Sequence, residues 1–217
     1  GIGGNSAATR EGAESSKIYM VGNILMDTLR FNHQRFARPT VMDNLGLTEK
    51  RYIVFTLNRK AIIGNDDELR ALLVSMMSHT GDIPVVAPLR QLAADAVQCI
   101  VNENPLLFEN LHIVEPLDYL HFGYLTANAL GVVTDSGNVA EEATFNTVPC
   151  ITLNSYTEHI ETVKVGSNVL VGEDPVLLGE EMARMVDGKW KHCGIPERWD
   201  GRSAERIVQT LLECAAK

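Results

Sequence analysis

No apolar run in this chain approaches the length of a membrane span, and no charged-then-apolar segment opens it. A membrane is therefore not an expected partner. The four cysteines, Cys99, Cys150, Cys193 and Cys214, contain no C-x-x-C pair and are irregularly spaced. That excludes a disulfide frame or a zinc site and leaves reduced thiols, as in a cytoplasmic protein. His33, His79, His112, His121 and His192 show no metal-ligand spacing either, so no metal is expected. Basic residues are outnumbered, 19 Lys and Arg against 28 Asp and Glu, for a net charge of −9. A nucleic-acid backbone is a poor partner for such a chain. Internal repeats and low-complexity tracts are missing. So is an initiating Met: the chain opens Gly-Ile-Gly-Gly, and the expectation is a fragment with a neighbouring domain elsewhere.

What is present is an ordinary globular composition over 217 residues, 45% hydrophobic and 22% charged. Short strand-like runs alternate with helical stripes. The strand candidates are Ile18–Val21, Tyr52–Thr56, Ile83–Ala87, Leu111–Val114, Leu130–Thr134, Cys150–Leu153 and Asn168–Val171. Helical spacing is clearest at Leu69, Leu72, Leu73, Met76 and Met77. It recurs at about 23–34, 90–103, 117–128, 137–146, 174–187 and 202–215, and Asp174-Pro175 reads as a capped helix start. This alternation predicts right-handed βαβ units and a mainly parallel, doubly wound α/β sheet. We divide the chain into a loose segment 1–16, a Rossmann-like domain 17–200 and a final helix 201–217. The final helix carries Ala204, Ile207, Val208, Leu211 and Leu212 on one face, to pack on this domain or to reach across to an absent one.

The most informative stretch is 130–144, LGVVTDSGNVAEEAT. A buried strand runs into Thr134-Asp135-Ser136-Gly137, and a helix starts at once. The free N–H groups and positive dipole end of such a helix suit a phosphate or carboxylate. Capping alone also explains Asp, Ser and Gly at this junction. Asn138-x-x-Glu141 fits a capping box, which would tie Glu141 to its own helix end and leave Glu142 for a ligand. Parallel sheets bind ligands at the carboxyl ends of their strands. Asn58, Arg90, Ser136 and Thr157-Glu158-His159 all follow strand candidates, so four loops are expected to converge on one edge.

Thr134-Asp135-Ser136-Gly137 with Glu141-Glu142, then Pro149, Thr157-Glu158 and Leu170-Val171-Gly172-x-Asp174-Pro175, together resemble the C-terminal half of the UDP-N-acetylglucosamine 2-epimerases. Val21-Gly22-Asn23 resembles that family's opening strand and turn. Glu115-Pro116-Leu117-x-Tyr119-Leu120-x-Phe122 resembles its base-binding loop. The resemblance runs from about Arg10 to Leu212. It implies a GT-B-like enzyme of two Rossmann-like domains, with a UDP-sugar as ligand, no cofactor, and acidic catalytic residues in an N-terminal domain missing here. It also implies a role in cell-surface polysaccharide biosynthesis and leaves a homodimer open. Ser136 and Gly137 would hold the diphosphate, Glu142 the ribose hydroxyls, and the loop around Phe122 the uracil. Core packing is the other reading of Phe122.

The chain also departs from the family. Asn58 stands where the family has a histidine of its catalytic and phosphate-binding set, so the catalytic residues of this chain are unknown. Arg90 stands for a second histidine, and His159 for a phosphate-facing arginine. Asn138 and Ala140 stand for a glycine and a glutamine. Arg59, Arg90 and His159 would still offer positive charge to a diphosphate, or be solvated loop residues. The implied activity is a UDP-N-acetylglucosamine 2-epimerase-like isomerase. The alternatives are a non-catalytic nucleotide-sugar-binding module and a GT-B glycosyltransferase.

Overall fold

The structure is a computed structural model and describes residues 21–216. Six short strands form one sheet: β1 (Ile53–Phe55), β2 (Val85–Pro88), β3 (Leu111–Val114), β4 (Gly131–Thr134), β5 (Cys150–Thr152) and β6 (Asn168–Leu170). Their order is β3-β2-β1-β4-β5-β6, and every pairing is parallel. The strand order reverses between β1 and β4, which makes their carboxyl ends the switch point of the sheet.

The period of two along each strand divides the core between the two faces. Ile53, Phe55, Val85, Ala87, Val133 and Ile151 join one buried cluster. Val54, Val86, Val132 and Cys150 join the other. In chain order the helices are α1 (Ile24–Asn32), α2 (Thr40–Asn44), α3 (Lys60–Ile63), α4 (Asp66–Ser78), α5 (Gln91–Glu103), α6 (Tyr119–Ala127), α7 (Gly137–Phe145), α8 (Glu161–Lys164), α9 (Pro175–Val186) and α10 (Ser203–Ala215). Helices α4, α5 and α9 cover the first face; α4 contributes the predicted stripe of Leu69, Leu72, Leu73, Met76 and Met77. Helices α2, α6 and α7 cover the second. The expected start of α9 holds: Asp174 accepts from the amides of Val176 and Leu177, with Pro175 in the first turn.

The segment 1–16 and most of the candidate strand Ile18–Val21 lie outside the described residues; Val21 belongs to no strand. A third small cluster joins α1 to the end of the chain, where Trp199 is buried against Met26 and Leu29. Asp27 caps α10 from a distance, its two carboxylate oxygens accepting from the amides of Ser203 (2.9 Å) and Ala204 (2.8 Å). Helix α10 thus packs on this domain at its start, while Ile207, Val208, Leu211 and Leu212 are exposed.

Candidate functional site

An open pocket of about 560 Å³ lies at the carboxyl ends of β1, β4 and β5. Arg59 forms one side, Asp135, Ser136, Gly137 and Asn138 the floor, and residues 154–159 the other side.

The floor is built by the β4–α7 junction. Thr134 is buried; its hydroxyl accepts from the amide of Ser136 (3.0 Å) and contacts the Thr56 hydroxyl (2.7 Å). Ser136 has extended backbone angles (φ −98°, ψ 123°), and its Oγ accepts from the amide of Val139. Ser136 is therefore the N-cap. The capping box read at Asn138 and Glu141 is corrected by this geometry. Asn138 already lies inside the helix, so Glu141 falls too far along it to reach back to the cap. Glu141 turns inward instead, with a nearly fully buried side chain. Among the described residues no hydrogen bond engages the amides of Gly137 and Asn138. They are the free donors that a helix N-terminus presents to an anion.

Asp135 joins two walls. Its Oδ2 accepts from the amides of Asn58 (2.9 Å) and Arg59 (2.7 Å), which fixes the β1–α3 loop. Its Oδ1 is buried without a hydrogen-bond partner. Its backbone carbonyl accepts from Asn154 Nδ2 (3.1 Å). The Arg59 guanidinium donates to the Leu153 carbonyl (3.2 Å) and to Asn154 Oδ1 (3.0 Å), and pairs with Glu173 (3.0 Å). His159 places Nδ1 3.1 Å from Glu141 Oε1, and the same oxygen accepts from Asn23 Nδ2 at 2.7 Å.

The fold thus brings Arg59, Ser136, Gly137 and His159 to one pocket. It does not bring Arg90, Phe122 or Glu142 to its lining. The expected convergence of four loops is therefore corrected to three. Arg90 lies two residues past β2, exposed, at the N-cap position of α5. Phe122 packs against the second core cluster, half-buried. Asn58 contributes its amide to Asp135. Glu142 is half-buried, and burial, then the neighbouring Glu141, pushes its carboxyl up to about 7. Burial also raises Glu141, and the nearby Glu161 adds to this, while Asn23 and His159 oppose it. Sequence reasoning missed Asp135 as a clamp, Glu173 as the partner of Arg59, and Asn23 as the partner of Glu141. No local pattern signals contacts such as Asn23 to Glu141, which are 118 positions apart.

A doubly wound parallel sheet with a ligand-sized pocket on its switch point defines a Rossmann-like α/β domain, corresponding to the C-terminal domain of GT-B enzymes. A family model described as UDP-N-acetylglucosamine 2-epimerase matches residues 5–212, and the chain belongs to that family. It is 33% identical over 213 residues to the UDP-N-acetylglucosamine 2-epimerase of Methanocaldococcus jannaschii, covering 93% of this chain and 56% of the relative. It is also 33% identical over 202 residues to the UDP-2,3-diacetamido-2,3-dideoxy-D-glucuronate 2-epimerase of Pseudomonas aeruginosa, covering 92% and 54%. Among solved structures, the M. jannaschii UDP-GlcNAc 2-epimerase in complex with UDP-GlcNAc and UDP superposes with a TM-score of 0.73 at 29% identity, over 94% of this chain and 58% of that one. The chain spans about half the length of the curated relatives it matches. Among the described residues no helix is long and apolar enough to cross a membrane.

Proposed function

We propose that this chain is the nucleotide-binding half of a UDP-N-acetylglucosamine 2-epimerase-like isomerase. The longer protein would convert UDP-GlcNAc to UDP-ManNAc by eliminating UDP from C1 and a proton from C2, then adding UDP back at C1 and a proton to the opposite face of C2 of the glycal. The observation that carries this reading is the pair of free amides at Gly137 and Asn138, on the floor of a pocket that Arg59 and His159 also line. Two phosphates fit donors of that kind. Two epimerase structures of the family hold UDP-GlcNAc, from M. jannaschii and Neisseria meningitidis.

Within this proposal Ser136 and Gly137 hold the diphosphate, Glu142 accepts from the ribose and the Phe122 loop holds the uracil. The last two lie outside the pocket lining, so the nucleoside would extend past the diphosphate towards α6 and the Glu142 side of α7. The acid and base groups belong to the remainder of the protein, because proton transfer at the sugar needs groups within hydrogen-bond reach of it. The exposed apolar face of α10 is the surface we assign to contact with that remainder. The reading of a non-catalytic binding module has Asn58 in its favour, at the position of the family histidine.

Product analysis by NMR, after incubating the longer protein with UDP-GlcNAc, separates the two. Appearance of UDP-ManNAc supports the isomerase; intact substrate with retained binding supports the module. This chain alone should turn nothing over. UDP at a hundred times its dissociation constant should stabilise it by about 2.7 kcal/mol, raising Tm by about 5–10 °C. No shift at millimolar UDP would contradict a nucleotide site.

A further inference from the structure

One buried group has no part in the function proposed above. Glu141 is inside α7, its side chain only 4% exposed, and its Oε1 meets both Asn23 Nδ2 and His159 Nδ1. A carboxylate is an acceptor, so the His159 nitrogen facing it carries a proton. An imidazole anchored through one nitrogen has its ring plane and its other nitrogen fixed as well. The other nitrogen, Nε2, makes no hydrogen bond among the described residues, and the residue lines the pocket, 42% exposed. The backbone is held too: the His159 amide donates to Thr157 Oγ1 (3.1 Å), and the His159 carbonyl accepts from the Thr162 hydroxyl (2.9 Å). Elsewhere in the pocket Arg59 is already engaged by Glu173.

We propose that Glu141 is a positioning residue that fixes His159 Nε2 toward the ligand, making His159 the side chain through which this pocket selects a diphosphate over an uncharged nucleoside. This rests on the reading of the pocket as a nucleotide site. With Nδ1 held by Glu141, Nε2 is left for the pocket, where a phosphate oxygen and the ring share a proton in a charge-assisted hydrogen bond. Asn23, the N-cap residue of α1, holds Glu141 from behind and adds no charge. The sequence alone presents His159 as a weak substitute for arginine; the buried carboxylate behind it is what makes it a fixed donor.

The test is calorimetric titration of UDP and of uridine into six proteins at one pH near 7. They are the unaltered chain, His159→Gln, Glu141→Gln, His159→Arg, and the doubles Glu141→Gln/His159→Gln and Glu141→Gln/His159→Arg. His159→Gln is at the surface and keeps the fold accessible even where the buried change does not. We expect His159→Gln and Glu141→Gln each to weaken UDP about tenfold. The double with Gln at both should be no weaker than either single, because both remove one interaction. Uridine affinity should not change. Arginine needs no carboxylate to stay charged, so Glu141→Gln/His159→Arg should recover most of the UDP affinity. Unchanged UDP affinity in His159→Gln overturns the proposal and leaves the nucleotide site standing. Additive losses in the double, or no recovery with arginine, overturn the positioning role. Absence of UDP binding in the unaltered chain overturns the nucleotide reading itself.

Discussion

β1 and β4 are neighbours in the sheet, end at the same edge, and each runs into a helix, yet the two junctions treat their amides differently. After β4 the Ser136 side chain caps a nine-residue helix, and the amides of Gly137 and Asn138 stay free over the pocket. After β1 the helix has four residues and no side-chain cap. There the amides of Asn58 and Arg59 are taken by Asp135, a residue of the β4 junction. One junction offers the pocket its backbone; the other offers only a side chain, Arg59. The amides claimed by Asp135 precede α3, whose first residues Lys60 and Ala61 lie outside the pocket lining, whereas the first residues of α7 form its floor. Asp135, which holds the β1 loop, lies beside Ser136, which caps α7.

The largest effect should come from breaking the clamp. Asp135→Ala leaves two amides without their charged acceptor and should lower stability by about 2–3 kcal/mol. Urea unfolding gives the loss, and amide exchange at residues 58 and 59 should speed up while exchange within β4 does not. Unchanged exchange at those two amides would mean that Asp135 does not hold the β1 loop.

A smaller effect, set by pH, concerns Glu142 on α7. The Glu142 carboxyl is raised from an ordinary value of 4.5 to about 7. The folded state therefore holds this proton more tightly than the unfolded state does. Its stabilisation is full below about pH 4.5 and is lost as pH rises through 7. Glu142→Gln should thus match the unaltered protein at pH 4 and exceed it by about 1–3 kcal/mol at pH 8. Thermal melts across that range measure it, and equal melting curves at pH 8 would contradict the burial of this carboxyl.

Smaller still is the cap. The Ser136 Oγ to Val139 amide distance is 3.4 Å, long for a hydrogen bond. Ser136→Ala should lower stability by about 0.5–1 kcal/mol and leave exchange at residues 58 and 59 as it was. A coupled change at both junctions would erase the distinction between them.

Legibility in the sequence followed range. Runs such as Leu111–Val114 and the α4 stripe are local patterns of period two or 3.6, and they form as read. Helices α2, α3 and α8 have four or five residues, too few for a periodicity to show, and they were not anticipated. The β4–α7 junction was legible as an anion-suited turn because its signal lies within four consecutive residues. Its capping was misread by two positions, because Ser136 and Asn138 are both good caps and only the backbone angles distinguish them. The true partners of Glu141, and the link of Asp135 to residues 58 and 59, depend on how distant segments meet. Arg90 was placed with the pocket by the rule of strand ends, but β2 lies on the far side of β1 from the switch point.

In the function proposed above, the open amides at the start of α7 hold the ligand. Beyond its chain neighbours and its own helix backbone, no atom among the described residues lies within 4 Å of where a Cβ on Gly137 would stand, so Gly137→Ala should fold as well as the unaltered chain. Its methyl group would stand in the pocket, where an anion must approach the backbone closely. Calorimetric titration of UDP into Gly137→Ala should show affinity reduced by about tenfold or more with Tm unchanged or slightly raised. Unchanged UDP affinity in the folded variant would contradict the account.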